Sequence, residues 1–403
     1  MNVALVHERL DILGGAEKVL LALHQLYPEA PLYTSFVDYS HLPDYFRRLD
    51  IRPSYMQRLP EFLKRRPHWL LPLDMFAFQD FDLSEYDVVL SSSYVAAKSV
   101  LTPSETCHIC YTHTPMRFAW DLYPKFMHDT ANPLIRLGAR VLLQYFRMWD
   151  VQTSNNVDYF IANSETVRRR IRKHYRRDSV VIYPPVQTCR FSVSQTPGDY
   201  YLVVSRLVPY KRIDLAVEAF NRSGQDLIII GTGREQKRLA AMARPNIRFL
   251  GWQSDEAVAR YLSQAKALIF PGEEDFGILP VEAQAAGVPV IAYARGGVLE
   301  TVRHGDTGFL FGEQTPESLL EAIRESGRCR FDREHIAASA ARFDERVFAE
   351  RMVETVRRCY TEFQANHHAP PSAFLDLPAR RPDEIGVPPH AAVRTGTEES
   401  PIG

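Results

Sequence analysis

With 403 residues, 45% of them apolar, and a formal net charge of −1, the chain is long enough for two domains and carries no global field that would favour nucleic acid or membrane. Five cysteines, Cys107, Cys110, Cys189, Cys329 and Cys359, are odd in number and widely spread, which argues against a disulfide framework and fits a reducing cytoplasm. The opening MNVALV is strand-like rather than basic, so no signal peptide is expected, and no apolar run reaches the length of a bilayer span.

The first half alternates strand and helix patterns, which implies a parallel sheet. A strand at 2–6 leads to Gly14-Gly15-Ala16-Glu17, where a helix opens and runs to about Leu26. Two glycines there let backbone approach a ligand closely and leave helix N–H groups free; a plain tight turn is the alternative. Residues 31–34 and 87–91 read as further strands. Between them, 59–78 mixes Lys64, Arg65 and Arg66 with Trp69, Leu70, Leu71, Phe76 and Phe78. That composition suits an anionic membrane surface or a helix packed on its own domain.

Residues 108–112 form another strand. Cys107 and Cys110 make a C-x-x-C around its start, but no second pair exists to complete a zinc site, so they read as structural. The strand runs into His113-Thr114-Pro115-Met116-Arg117-Phe118-Ala119-Trp120-Asp121. A histidine past a strand end and before a proline faces the carboxyl edge of the sheet, and Arg117 nearby favours a functional role over a structural one. Residues 133–149 are helical, with Leu134, Leu137, Val141, Leu142 and Phe146 on one side. That side is expected to face the core at least, with membrane proximity as a further reading. A strand at 158–162 is followed by Asn163-Ser164, a helix cap. The next helix carries Arg168, Arg169, Arg170, Arg172, Lys173, Arg176 and Arg177. Such density reads as a solvated face, or as a surface for lipid or acceptor phosphates. Nucleic acid is not expected, because the charge is local and no nucleic-acid motif accompanies it. After a strand at 180–182, Tyr183-Pro184-Pro185 marks the hinge.

The second half starts its own series. A strand at 200–204 is followed by Ser205-Arg206 and Lys211 on one strand-to-helix loop. Arg206 and Lys211 reach the carboxyl edge together, a guanidinium and an ammonium suited to a diphosphate. A strand at 227–230 ends in Gly231-Thr232-Gly233, a partial dinucleotide fingerprint whose third glycine is replaced by Gln236. It reads as close backbone packing near a nucleotide, not as NAD binding. A strand at 247–250 precedes Ser254, a cap for the next helix. Residues 271–287, PGEEDFGILPVEAQAAG, then lie between strands at 267–270 and 288–293. Pro280 suits a first helical turn and Gly287 the position past its end. Glu274 in the loop and Glu282 in the first helical turn sit eight positions apart, with a helix N-terminus between them to offer N–H groups to an anion. Gly296-Gly297 form a second turn before a short helix with Glu300. The last helix, from about 346 to 363, has Phe348, Met352, Cys359 and Phe363 at helical spacing, a stripe that wants a groove, such as one between the two domains. From 366 to 403 the periodicity stops, and the tail reads as disordered.

In this order, these residues resemble the retaining nucleotide-sugar glycosyltransferases of family four, with the GT-B fold. The resemblance covers about 1–363, and its most specific part is the E-x7-E of Glu274 and Glu282. The THTPMRFAWD stretch is similar to bacterial mannosyltransferases of O-antigen and exopolysaccharide assembly. The resemblance implies an α/β protein of two Rossmann-like domains facing across a cleft. Residues 1–184, with the helix 346–364 crossing back, would bind the acceptor, and 185–345 the nucleotide sugar. Glu282 would hydrogen-bond the ribose and Glu274 the hexose. Arg206 and Lys211 would neutralise the departing diphosphate. The amides of Phe276, Gly277 and Ile278 would bind the sugar or its phosphate, and Asp275 belongs to the same donor-binding set. Gly14 and Gly15 would approach the diphosphate, and His113 would sit beside the reacting face. Ser205 and Gly233 complete the donor-binding set. No cofactor and no metal are expected. Asp80-Phe81-Asp82 matches the metal motif of a different glycosyltransferase fold, but here it is a surface lead-in to a strand.

The expected reaction is transfer of mannose from GDP-mannose, with retention, to a polyprenyl-linked or other glycan acceptor. Its place is the cytoplasm, with peripheral contact at the inner face of the membrane. A UDP-sugar enzyme with a soluble acceptor, a nucleotide-sugar epimerase of the same fold, and a non-catalytic partner subunit are the alternatives.

Overall fold

The computed structural model describes residues 1–64, 67–196 and 198–367. Arg65 and Arg66 of the basic–aromatic stretch, and the tail from residue 368 onward, lie outside the described residues. The first of two sheets holds β1 (Val3–His7), β2 (Leu32–Thr34), β3 (Ile51–Pro53), β4 (Val88–Ser93), β5 (Cys107–Thr112), β6 (Tyr159–Ala162) and β7 (Ser179–Val181), in the order β3-β2-β1-β4-β5-β6-β7. The second holds β8 (Tyr201–Val204), β9 (Leu227–Ile230), β10 (Ile247–Gly251), β11 (Ala267–Phe270), β12 (Val290–Tyr293) and β13 (Gly308–Phe311), in the order β10-β9-β8-β11-β12-β13. All of these pairings are parallel.

Both sheets are doubly wound. The chain builds outward from β1 to β3, then returns to lay β4 on the other side of β1; β8 and β11 repeat the reversal. Each reversal leaves a crevice beyond the strands' carboxyl ends, where open parallel sheets bind ligands. Register places His7 beside Ser92 and Ser93 beside Thr112, so the loops after β1, β4 and β5 leave from one edge. The strands read as apolar runs because both faces are covered. Val203, Leu227 and Ile229 enter one core of the second sheet, while Leu202, Ile228 and Ile230 enter the other.

Strand β3 has no counterpart in the sequence reading. It is three residues long, carries Pro53 and sits at the sheet edge, where a missing N–H costs no ladder bond.

The helix expected at 133–149 runs over Pro133–Thr153, started by Asn132, whose Oδ1 accepts from the N–H of Leu134 and Ile135. Its expected core face is corrected. Of the side named from sequence, only Phe146 is buried; Leu134 is 78% exposed, Leu137 59% and Val141 68%. Leu143, Phe146 and Trp149 make the buried contact instead. At about 1.5 Å per residue the helix is roughly 32 Å long. No side chain of residues 133–142 is buried, and the buried ones begin at Leu143, so the first half of the helix projects beyond the packed core. In the basic–aromatic stretch, Leu70 and Phe78 are buried, so it packs on its own domain, while Phe62 and Phe76 face outward.

Within Glu345–His367, Phe348 meets Tyr111 of β5 edge-on, and Arg351 donates to the Val181 carbonyl of β7 at 2.8 Å. The stripe therefore docks on the first sheet rather than in a groove between domains. Among the described residues no helix is long and apolar enough to cross a membrane.

Candidate functional site

The loops after β1, β5, β8 and β11 converge on one cleft, a cavity of about 660 Å³. From the first domain, Gly14, Gly15 and His113 line it. From the second come Arg206, Lys211, Glu274, Asp275 and Glu282, with Phe276, Gly277 and Ile278 at the start of the helix Ile278–Ala285. Ser205 and Gly233 do not line it. Gly233 packs instead against the loop behind: a Cβ there would meet the Leu207 carbonyl oxygen at 2.3 Å.

Gly15 stands against the second domain, since a Cβ there would meet Ile278 Cδ1 at 3.2 Å. Gly296 and Gly297 have a different task from the flexible turn expected. Gly297 N–H donates to the Glu274 carbonyl at 2.9 Å, and a Cβ on Gly297 would lie 2.2 Å from Phe276 Cα. The glycine pair is the bed on which the donor-loop backbone rests. Lys211 sits one residue before Arg212, whose φ of 54° is left-handed.

The charged groups are mutually paired. Lys211 Nζ bonds Glu274 Oε1, and Lys18 Nζ reaches Glu282 Oε1 at 3.1 Å from the other domain. Arg206 donates to Tyr210 OH at 3.0 Å. Arg117 Nη1 lies 3.2 Å from Asp275 Oδ1, and Arg170 bonds the same oxygen. Thus Arg170 leaves the solvated face expected of its helix: it is 9% exposed and turned toward Asp275 and Asp121, while Arg168, Arg169 and Arg172 stay outside. Glu300 crosses the same boundary. Its carboxylate accepts from the N–H groups of Glu165 and Thr166 at 2.7 and 3.0 Å, capping the helix Glu165–His174 of the first domain.

His113 is held from behind by a line of buried polar groups. Its Nε2 lies 2.8 Å from Ser92 Oγ, Ser92 Oγ is 3.0 Å from His7 Nδ1, and His7 Nε2 is 3.3 Å from Glu17 Oε1. Glu17 also accepts from Gly14 N–H at 2.8 Å, so the line ends in the glycine turn that lines the cleft. Burial pushes the His113 imidazole down to about 3, with His7 nearby adding to the effect. Burial works against Glu17, yet the hydrogen bond and charge of His7 hold its carboxyl below the usual range. The sequence reading missed His7, Ser92, Lys18 and the role of Arg170. Only His7 carried a signal, as a polar residue ending an apolar strand.

Cys107 and Cys110 are buried free thiols in β5. Asp82 of the D-x-D accepts from its own neighbour, Ser84. The described residues hold no group of three or more His, Cys, Asp or Glu placed to share a metal ion.

Two doubly wound domains whose switch points open on one cleft define the GT-B fold. Residues 13–190 match the model for Glycosyltransferase Family 4, and residues 190–343 that for Glycosyl transferases group 1. Together the matches span both domains, and the chain belongs to the group 1, family 4 glycosyltransferases. It is 28% identical over 216 residues to an uncharacterized glycosyltransferase of Methanocaldococcus jannaschii, an alignment covering 52% of this chain and 61% of that one. It is 27% identical over 337 residues to the D-inositol 3-phosphate glycosyltransferase of Geodermatophilus obscurus, covering 72% and 71%. The crystal structure of Anabaena HepE in complex with UDP superposes with a TM-score of 0.65 at 17% identity, covering 89% of this chain and all of that one.

Proposed function

We propose that this chain is a retaining glycosyltransferase that moves mannose from GDP-mannose to a lipid-linked oligosaccharide in cell-surface polysaccharide synthesis, at the cytoplasmic face of the membrane. The observation that carries the reading is the convergence of Glu274 and Glu282 with Arg206 and Lys211 in one cleft. A nucleoside diphosphate leaves with an added negative charge. Fixed cations and the N-terminus of the helix Ile278–Ala285 stabilise that charge without a metal. Glu282 takes the ribose hydroxyls and Glu274 those of the hexose. The amides of Phe276 to Ile278 take the sugar or its phosphate, and neutral His113 hydrogen-bonds the sugar beside the reacting carbon. The second domain holds the donor and the first the acceptor. The projecting apolar half of the Pro133–Thr153 helix favours an acceptor in a membrane.

Incubation with radiolabelled GDP-mannose and polyprenyl-linked oligosaccharides tests this; label moving into the lipid fraction is the expected result. Transfer from a UDP-sugar and from no GDP-sugar would overturn the donor. That second reading, a UDP-sugar enzyme, draws on the UDP bound in the similar Anabaena structure.

A further inference from the structure

A second cavity, of about 420 Å³, lies within the first domain. Leu71, Phe118, Phe126, Leu142, Leu143 and Phe146 form its walls. Two of these, Phe126 and Leu142, are each 47% exposed, and Leu134, Leu137 and Val141 are exposed on the same helix as Leu142. Tyr94 lines both this cavity and the cleft, so the two are neighbours across one side chain.

Its floor is polar. Glu8 there is fully engaged: its Oε1 accepts from the N–H groups of Tyr94, Val95 and Ala96 at 2.9, 2.6 and 2.8 Å, which fixes the loop bearing Tyr94. Asp74 is engaged on one side only: it is 8% exposed, Ser35 hydrogen-bonds its carboxyl, and its buried Oδ1 has no hydrogen-bond partner among the described residues. Arg9 Nε is likewise buried and unbonded; it lies 3.0 Å from Asp11 Oδ2 without hydrogen-bond alignment. Buried polar groups are almost always satisfied, so two orphans on one cavity floor mark a ligand with polar groups of its own. Burial, reinforced by Glu8, pushes the Asp74 carboxyl up to about 7. Two carboxyl groups, Glu8 and Asp74, line the cavity beside one guanidinium, Arg9, whose charge is already paired with Asp11. An anionic head is disfavoured there, and hydroxyl groups, which both donate and accept, are matched.

We propose that this cavity binds the hydrocarbon chain of the acceptor, with the hydroxyl groups of an uncharged head on Asp74 and Arg9. This rests on the lipid-linked acceptor reading above. A cavity of ~150 Å³ accommodates benzene, so this one has room for on the order of fifteen carbons.

Decyl maltoside, below its micelle concentration, is the probe, titrated into the full chain by calorimetry beside maltose and decyl phosphate. Saturable one-to-one binding of decyl maltoside is expected, with none for maltose and at least tenfold weaker binding of decyl phosphate. Leu142→Trp, at an exposed position, should close the mouth and weaken binding at least tenfold with an unchanged melting temperature. Asp74→Ala should do the same from the floor. Equal binding by the Leu142→Trp variant, which leaves Leu134, Leu137 and Val141 in place, would assign the amphiphile to the outer face and overturn the proposal. So would tighter binding of decyl phosphate. GDP-mannose titrated into the same samples separates the two readings. Nucleotide-sugar binding without amphiphile binding sinks the cavity assignment alone. Amphiphile binding without any nucleotide-sugar binding upholds it and counts against the transferase.

Discussion

Lys211 and Glu282 occupy the same cleft but do different work, and substitution should separate them. In the proposed reaction Lys211 meets charge that develops as the diphosphate departs, so Lys211→Ala is expected to lower kcat by about 10²-fold or more. Glu282 is there assigned to hydroxyls present throughout, so Glu282→Ala is expected to weaken nucleotide-sugar binding about tenfold with a smaller effect on kcat. Wild-type turnover by purified Lys211→Ala would show its assigned role to be wrong. Ser92 touches no substrate in this arrangement and positions His113 through its 2.8 Å contact. Ser92→Ala should lower kcat while leaving nucleotide-sugar affinity within twofold, and Ser92→Thr should recover part of the loss; equal loss of affinity would point to simple misfolding. These residues differ in how legible they are. Glu274 and Glu282 belong to one short segment and could be read directly. The line from Glu17 through His7 and Ser92 to His113 joins four elements, and the register of β4 against β1 and β5 brings its members together.

Strands and helices were legible wherever burial on both faces forces an apolar run or burial on one face forces a helical stripe. Eleven of the thirteen strands among the described residues lie where the sequence reading places them, within one or two residues; β3 is too short and too exposed to leave a pattern, and the short β13 was not assigned. The Pro133–Thr153 helix shows the opposite failure. Its apolar side was visible, but periodicity says which residues share a face, not what covers that face. Gly296-Gly297 was legible as a turn and illegible as a support, because the need for two hydrogens is set by the backbone of residues 274–276 packed against them. Gly297→Ala would force that backbone aside. We expect about 1–3 kcal/mol of destabilisation, seen as a lower Tm, together with weakened nucleotide-sugar binding. An alanine variant with parental Tm and affinity would remove the support role.

On the scale of the whole molecule, stability is tied to pH through buried imidazoles. His108 lies between Ser91 Oγ at 2.8 Å and the Asn156 carbonyl at 2.7 Å, and burial pushes it down to about 4. With His113 near 3, both are neutral when folded, while in the unfolded chain each takes a proton near pH ~6.5. The unfolded state therefore binds more protons below that value. The stability these two contribute is complete above about pH 6.5 and is lost as pH falls toward 4, by about 1.4 kcal/mol per unit for each group. Denaturant melts from pH 7 to 4.5 should show this slope, and His108→Asn should flatten it by about one proton. Identical slopes would refute the assignment. The two-domain plan was legible from the repeated strand–helix series and the Tyr183-Pro184-Pro185 break. The pairing of Arg117 and Arg170 with Asp275, and of Glu300 with the Glu165–His174 helix, was not, because each joins residues more than a hundred positions apart. That pairing has a thermodynamic consequence. Glu274, assigned to the hexose, and Asp275, tied to the first domain, are neighbours on one backbone, so sugar recognition and domain apposition share a single segment. Heterotropic linkage must then be reciprocal: whatever factor a bound donor adds to acceptor affinity, a bound acceptor adds to donor affinity. Donor titrations with and without acceptor should show that factor, and Arg170→Ala should bring it to unity.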